Sequence, residues 1–364
     1  MLLIILSLVI TILYFILVSV FIIGWKCTPD FEPNGNESVN IKISIVIPCK
    51  NEETHLRKLL SNLAQQSYQN FELILVNDHS TDRTRMIIEQ IQTTFSKMQL
   101  VDAIGFGKKN ALKEGIQLAT GNLIVTTDAD CVPSYHWLES IVCFQYQNPS
   151  DLIICPVKLS KSSTFFSRLQ TLEFASLVAS GAGAAGACMP ILCNGANLVF
   201  TRKAWLTSQD DLHEEEQSGD DIFLLQSIKK QGGVIRFLKS ESAMVVAESA
   251  DTFAGFLKQR RRWASKSPAY TDFQLILTTC IVFTISLLPF LLIGSSFYES
   301  QLWYVLLLVF TFKYLLDSLF LHSVRIFFHL QHVWIDSFLL SLIYPFYIVL
   351  VGLSALVSKP KNWK

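Results

Sequence analysis

Two aspartates stand two residues apart in Thr126-Thr127-Asp128-Ala129-Asp130-Cys131, closing the short apolar run Leu123 to Thr127. If the extended geometry of that run persists, Asp128 and Asp130 face the same side. Two convergent carboxylates suit a hard cation. Magnesium or manganese is typically held by one or two carboxylates plus substrate phosphates, where it offsets charge building on a leaving phosphate. The same spacing describes a strand-ending turn with two solvated aspartates, and so short a pattern does not choose between them. A second pair, Asp220 and Asp221, follows Ser218-Gly219 and precedes the apolar run Ile222 to Leu225. That order puts the pair at a helix N-terminus, where the helix dipole favours an ionised carboxylate. One of the two can cap the helix, and the other can act as a general base if it points into a cleft.

Further candidates lie upstream and downstream. Asp78, in Val76-Asn77-Asp78-His79-Ser80, can accept hydrogen bonds from a base or ribose, or it can close a local Asx-turn. His79 reads as a turn residue rather than a metal ligand, because no second histidine lies nearby in sequence. Gly105-Phe106-Gly107-Lys108-Lys109-Asn110 precedes a helix expected from about Ala111. Such a loop can bring backbone N–H groups and Lys108 to phosphates. It lacks the spacing of a P-loop or a dinucleotide fingerprint, which argues against ATPase and dehydrogenase chemistry. Gln259-Arg260-Arg261-Arg262-Trp263 stands just before a long apolar block. By charge alone it is a juxtamembrane patch attracted to anionic lipid, with Trp263 as interfacial anchor.

The elements that must position these groups follow a strand, polar turn and helix rhythm between Ile41 and about Ala250. Ile43 to Ile47 is expected as a buried strand ended by Pro48, Asn51 to Ala64 as a helix, and Phe71 to Val76 as a strand. A helix from about Arg83 to Phe95 and a strand from Leu123 to Thr127 continue the pattern. The rhythm implies an α/β fold with a mostly parallel sheet and ligands at the carboxyl ends of its strands. Leu172 to Cys193 is apolar and Gly/Ala-rich but carries Glu173 near its start. As a membrane crossing it would put the two aspartate pairs on opposite sides, so it is expected as a packed or interfacial segment of the catalytic domain. Thr28 to Ser38, with Pro29, Pro33, Asn34 and Gly35, reads as a linker.

Of the 364 residues, 51% are hydrophobic and mean hydropathy is +0.38, too apolar for an ordinary soluble enzyme unless the excess is concentrated. It is concentrated at the ends. Leu2 to Ile23 is uncharged and about the roughly 20 residues needed to cross a bilayer. With no basic region before it and no small-residue cleavage site after it, an anchor is expected rather than a signal peptide. Further spans are expected at Phe273 to Ile293, Leu302 to Leu321 and Ile335 to Val357. Formal net charge is zero, which leaves no global basic field for nucleic acid. The eight cysteines include no CxxC pair and read as reduced, structural residues of a cytosolic domain.

Lys26 after the first span and Lys258, Arg260, Arg261, Arg262 and Lys266 before the second place the central domain on the cytoplasmic side by the positive-inside rule. Lys359, Lys361 and Lys364 break that pattern, because three simple crossings would place them outside; an interfacial rather than spanning C-terminal segment is one way to resolve this, and the side of the tail stays open. The expected organisation is an N-terminal transmembrane helix (1–25), a linker (26–40), a cytoplasmic catalytic domain (41–252), an interfacial segment (253–270), about three C-terminal transmembrane helices (271–358) and a tail (359–364).

Read in order, SIVIPCKNEE (44–53), VNDHSTDRT (76–84), GKKNALKEGI (107–116), TTDADC (126–131), GANLVFTR (195–202), SGDD (218–221) and QRRRW (259–263) resemble the family 2 glycosyltransferases. The resemblance covers about 41–263 and rests on the ordered set, each motif being modest alone. It implies a GT-A fold, a Rossmann-like α/β nucleotide-sugar-binding domain, here with flanking transmembrane α-helices. It also implies roles: Asp78 and Lys108 contact the nucleotide, framed by the backbone around Pro48 and Lys50. Asp128 approaches the ribose or diphosphate, and Asp130 chiefly binds Mg2+ or Mn2+. Asp221 is the base, with Asp220 beside it in the substrate site. Gln259, Arg262 and Trp263 match Q-x-x-R-W, with Arg262 near the diphosphate and Trp263 near the acceptor. Asn77 replaces an acidic residue often found before Asp78, and His79 stands where glycine is usual. The implied reaction is inverting transfer from a nucleotide sugar, by family preference a UDP-sugar, to a lipid or glycan acceptor at a bacterial inner (plasma) membrane. A processive polysaccharide synthase is the alternative within the family, although four spans are few for an export channel. A non-catalytic membrane partner retaining the fold is the alternative outside it.

Overall fold

The run Ile43 to Ile47 is mostly β-branched and apolar, the composition of a strand covered on both faces. It forms most of β1 (Ile43–Cys49), every residue of which is buried. The protein is described by a computed structural model over residues 1–33, 39–160, 164–211 and 219–357. Helix α1 (Leu2–Cys27) precedes β1. After it come α2 (Leu56–Ala64), β2 (Phe71–Asn77), α3 (Thr84–Gln92), β3 (Met98–Asp102), α4 (Lys108–Leu118), β4 (Leu123–Thr126), β5 (Val132–Pro133) and α5 (Trp137–Gln147). The chain continues through β6 (Leu152–Ile154), β7 (Val157–Leu159), α6 (Phe165–Gly186), β8 (Leu198–Thr201), α7 (Arg202–Ser208), α8 (Asp220–Lys230), β9 (Ile235–Phe237) and β10 (Val245–Ala247). Helix α9 (Phe253–Ala264) and the long helices α10 (Phe273–Ser296), α11 (Leu302–Val324) and α12 (Val333–Val357) complete it. Ser218 and the tail from 359 lie outside the described residues.

Two compact units result. The sheet unit comprises the described residues of 28–160 and 192–248. Its main sheet has the order β3-β2-β1-β4-β8-β6-β9, beside a smaller sheet β5-β10-β7. Strands β3, β2, β1 and β4 run parallel, and β8 is antiparallel to both its neighbours, β4 and β6. The strand order turns back between β1 and β4, the place where open α/β sheets leave a crevice at their carboxyl ends.

Two local expectations are corrected. Pro48 does not end β1 but pairs within it, opposite Val76. The Cys49 carbonyl accepts from Asp78 N–H on the β2 side, so the alternation of the strand turns Pro48 toward β4, whose pairing with β1 has stopped at Val46. A missing N–H costs no ladder bond there. Helix α2 begins at Leu56 rather than Asn51. Asn51 has φ 54°, and the N–H groups of Asn51, Glu52 and Glu53 donate to Ser80 Oγ (3.1 Å), Thr84 Oγ1 (2.7 Å) and Asp82 Oδ2 (3.1 Å). Residues 51–53 therefore zip onto the loop after β2 instead of coiling. The described part of the segment after α1 is held to the sheet unit's own residues: Phe31 packs edge-on against Phe144 at 5.2 Å, and Lys239 bonds the Thr28 carbonyl and Asp30. Residues 34–38 of that expected linker lie outside the described residues.

The helical unit contains the described residues of 1–27, 164–191 and 249–357. Four of its helices, α1, α10, α11 and α12, are long and apolar enough to cross a membrane. Helix α6 belongs with this unit, as a packed segment. Its Gly/Ala-rich stretch serves close helix packing. A Cβ on Gly24 of α1 would strike the Gly183 carbonyl, and one on Gly183 would strike the Phe21 carbonyl. Small residues let apolar helices approach in this way where lipid gives no hydrophobic drive. Polar groups pin the bundle too: Lys313 lies 2.5 Å from Asp317, which also accepts from the Tyr14 hydroxyl at 2.5 Å. Gly183→Leu is expected to lower the detergent-solubilised protein's stability by about 1–3 kcal/mol or more, the cost of overpacking. A thermal melt with an unchanged midpoint would refute this close approach.

Candidate active site

Candidate residues of the sheet unit gather at the carboxyl ends of β1, β2 and β4. Asp78, one residue past β2, has no exposed surface. Its carboxylate accepts from Gly107 N–H at 3.1 Å and from the Lys50 ammonium at 3.3 Å, and His79 Nδ1 lies 3.1 Å away. Asp78 thus clamps three segments together: the end of β1, its own loop and the loop before α4. The Asn77 side chain makes the turn, accepting from Ser80 N–H at 3.2 Å and donating to Asp102 at 2.8 Å. His79 has φ 53°. That left-handed conformation is the reason glycine suits the position, although histidine is among the side chains that tolerate it. Its ring stacks on Phe106 at 4.1 Å and 15°.

Helix α4 starts at Lys108, three residues earlier than expected, because Gly107 takes φ 94° and ends the loop there. Lys108 consequently sits in the first turn, and its ammonium pairs with Asp128 Oδ1 at 2.5 Å. The Gly-Lys loop and the paired aspartates are one site.

The extended geometry assumed for Asp128 and Asp130 does not persist. Strand β4 ends at Thr126, and Asp128 to Cys131 is a turn closed by Cys131 N–H to the Asp128 carbonyl at 3.1 Å. The carboxylates are brought together by this turn and not by the pleat. Burial pushes the Asp130 carboxyl up, and the Asp128 charge adds to this, opposed by Lys108 and His55. Burial likewise pushes the Cys131 thiol well up, which keeps it protonated and a poor metal ligand.

This donor set fits a hard divalent ion. Lys108 already neutralises part of Asp128, so Asp130 is the carboxylate whose charge most needs a cation. Among the described residues no group of three or more His, Cys, Asp and Glu could hold a metal. Such an ion would complete its shell with phosphate oxygens and water, as Mg2+ and Mn2+ do.

Asp220 and Asp221 open α8, as the sequence indicates. Asp221 Oδ2 accepts from Gly195 N–H at 3.1 Å and Oδ1 from Ile222 N–H at 2.9 Å. The Gly195 carbonyl accepts from Thr126 Oγ1 at 2.9 Å. A chain of two hydrogen bonds through Gly195 thus ties Asp221 to the last residue of β4, two before Asp128. Lys109 lies over the Phe223 ring at 5.9 Å, a second link between α4 and α8. Sequence reasoning saw GANLVFTR only as a motif and missed what Gly195 and Asn197 do. Asn197 is fully buried, accepting from Trp137 Nε1 at 2.9 Å and donating to the Pro156 and Ala243 carbonyls at 2.8 and 2.9 Å. An amide amid apolar residues was the available signal, since a buried amide needs its partners.

Gln259, Arg262 and Trp263 lie on α9, in the helical unit. The basic-patch reading fails for Arg260, which is only 4% exposed and ion-paired with Glu173 of α6. Of the three arginines, Arg261 alone is exposed and Arg262 is half-buried. None of the eight cysteines is in a disulfide.

Residues 44–203 match the family described as Glycosyl transferase family 2. The chain is 26% identical over 229 residues to the poly-beta-1,6-N-acetyl-D-glucosamine synthase of Staphylococcus aureus (strain COL), covering 61% of this chain and 53% of that protein. It therefore spans about half the length of that relative. An uncharacterised glycosyltransferase of Haemophilus influenzae is 28% identical over 107 residues, covering 29% of this chain and 33% of that one. Among solved structures, a mannosyltransferase from Pyrobaculum calidifontis in complex with GDP-Man and Mn2+ superposes with a TM-score of 0.58. At 16% identity over 97% of this chain and 96% of that one, the likeness is one of fold.

Proposed function

We propose, from the match of residues 44–203 to Glycosyl transferase family 2, that the chain transfers a sugar from a UDP-sugar to a lipid or short glycan acceptor at a membrane, with inversion. The observation that carries this reading is the Thr126–Gly195–Asp221 chain, which holds a carboxylate at a helix N-terminus beside the strand end bearing Asp128 and Asp130. Asp221 takes the proton of the acceptor hydroxyl while that oxygen attacks the anomeric carbon and the bond to the diphosphate oxygen breaks. Asp130, with Asp128, would hold Mg2+ or Mn2+, which when bound stabilises negative charge on the diphosphate. Lys108 adds positive charge at the same place, and Arg262 is assigned the departing diphosphate. Pro48, Lys50 and Asp78 frame the nucleotide, Asp220 lines the substrate site, and Gln259 and Trp263 serve the acceptor. The charge bias around the first two spans supports a cytoplasmic sheet unit at a bacterial inner membrane. No nucleic-acid partner is proposed.

A second reading has its own support, because the Staphylococcus aureus relative is a polysaccharide synthase. Product size separates the two. Membranes containing the protein, given a panel of nucleotide sugars and analysed by mass spectrometry, are expected to yield lipids or glycans heavier by one sugar. A ladder of long chains would replace single transfer by polymerisation, and no incorporation from any donor would overturn the glycosyltransferase reading itself.

A further inference from the structure

A buried ion pair on the helical unit has no part in the chemistry above. Glu173 of α6 is 1% exposed and Arg260 of α9 is 4% exposed. The guanidinium grips the carboxylate as a fork, Nε to Oε1 at 3.1 Å and Nη2 to Oε2. Its remaining nitrogen, Nη1, donates to Gln259 Oε1 at 2.7 Å. Its carbon lies 4.2 Å from the centre of the Trp263 ring and 4.7 Å from that of Phe256. The Tyr347 hydroxyl of α12 donates to Glu173 Oε1 at 2.7 Å, so three helices meet on one carboxylate.

We propose that Glu173, Arg260 and Tyr347 form a latch that positions Gln259 and Trp263 for transfer, an inference that rests on the function proposed above. One side chain, Arg260, touches both residues. Its bond to Gln259 Oε1 directs the NH2 end of that amide away from the latch, ready to donate to a ligand. Its charged head lies over the Trp263 ring and sets that ring's place through a cation–π contact.

Holding the helices together does not require this pair. Phe256 already packs with Tyr347 and Val351, flanked by Phe166, Leu257 and Ile348. Gln170 of α6 also exchanges two hydrogen bonds with the backbone of Ala250, just ahead of α9. Buried pairs contribute little net stability compared with apolar side chains of similar volume. What the fork adds is direction, fixing the rotation of α9 about its own axis. Glu173, Arg260 and Tyr347 are therefore positioning residues, acting through Gln259 and Trp263.

The test removes both charges together, because a single change strands one buried charge and destabilises the fold. Glu173→Gln/Arg260→Met is expected to accumulate in membranes, to bind the donor nucleotide with unchanged affinity, and to show kcat lowered roughly 10- to 100-fold, the scale of misplaced reacting groups. Deuterium exchange is expected to quicken across 253–264 and to stay unchanged in α1. Wild-type kcat in the double variant would overturn the latch and leave the pair as mere charge compensation. Should the double variant fail to accumulate, Arg260→Lys decides. It keeps the charge but loses the fork, so a several-fold fall in kcat supports the latch and full kcat overturns it. Asp221→Asn, run in parallel, separates this inference from its premise. If that variant turns over normally, the proposed function has failed, whereas an inactive Asp221→Asn beside a fully active double variant means that the latch alone has failed.

Discussion

Asp221→Asn is expected to slow sugar transfer by roughly 10²- to 10⁴-fold, the contribution of a positioned general base, equivalent to about 3–5 kcal/mol of barrier. The substitution keeps size and shape, so α8 and the sheet beneath it have no packing reason to move. It removes the proton acceptor and leaves one of the two backbone donors, Gly195 N–H or Ile222 N–H, facing an amide NH2. Donor affinity, which the proposed function assigns to groups at the ends of β1 and β2, is expected to stay within a few-fold. The effect should therefore fall on kcat and not on nucleotide binding, as for an interaction made only in the transition state. Steady-state kinetics of Asp221→Asn beside Asp220→Asn checks this. If Asp220→Asn is the inactive one, the two carboxylates have been assigned the wrong way round.

The second large effect concerns the metal. Stripping the protein with a chelator is expected to abolish transfer, and Mn2+ or Mg2+ to restore it. The two aspartates should respond unequally, because Lys108 already pairs with Asp128 while burial and the Asp128 charge leave the Asp130 carboxylate in need of a cation. Asp130→Asn is expected to lower kcat by roughly 10²-fold or more, since several kcal/mol of charge stabilisation pass through the ion. It should also raise the Mn2+ concentration giving half-maximal rate, while Asp128→Asn shifts both less. Metal titrations of the two variants distinguish them. Equal loss in both would mean that they act as one bidentate site, and full activity after chelation would remove the metal from the mechanism.

Much of the sheet unit was legible in the chain, because β-branched runs such as Ile43 to Ile47 have one stable environment in an α/β sheet. The loops were less so. The end of β1 depended on where β4 stops pairing, which no local pattern encodes, so Pro48 read as a terminator. Asn51 to His55 has helix-compatible residues, yet the N–H groups of Asn51, Glu52 and Glu53 are claimed by side chains about 30 residues away. Asp128 and Asp130 were found for a reason that proved incorrect: a turn, not a pleat, places them. His79 is the opposite case, a residue that looked like a departure and marks a left-handed position a glycine would also satisfy.

The helical unit was legible in its spans and opaque in its polar contacts. Glu173 was the sign that α6 differs from a simple crossing helix. Its partner Arg260 lies 87 residues on, inside a motif whose charges looked solvated. Long-range pairing of buried charges leaves no periodicity to read, and Gly183 gained meaning only when α1 was found against it.

The central claim is a single displacement at the anomeric carbon, and the configuration of the product tests it most directly. Transfer from an α-linked UDP-sugar, with the new linkage assigned by its proton coupling in NMR, is predicted to give a β-glycoside. An α-glycoside would contradict direct attack by an acceptor deprotonated at Asp221.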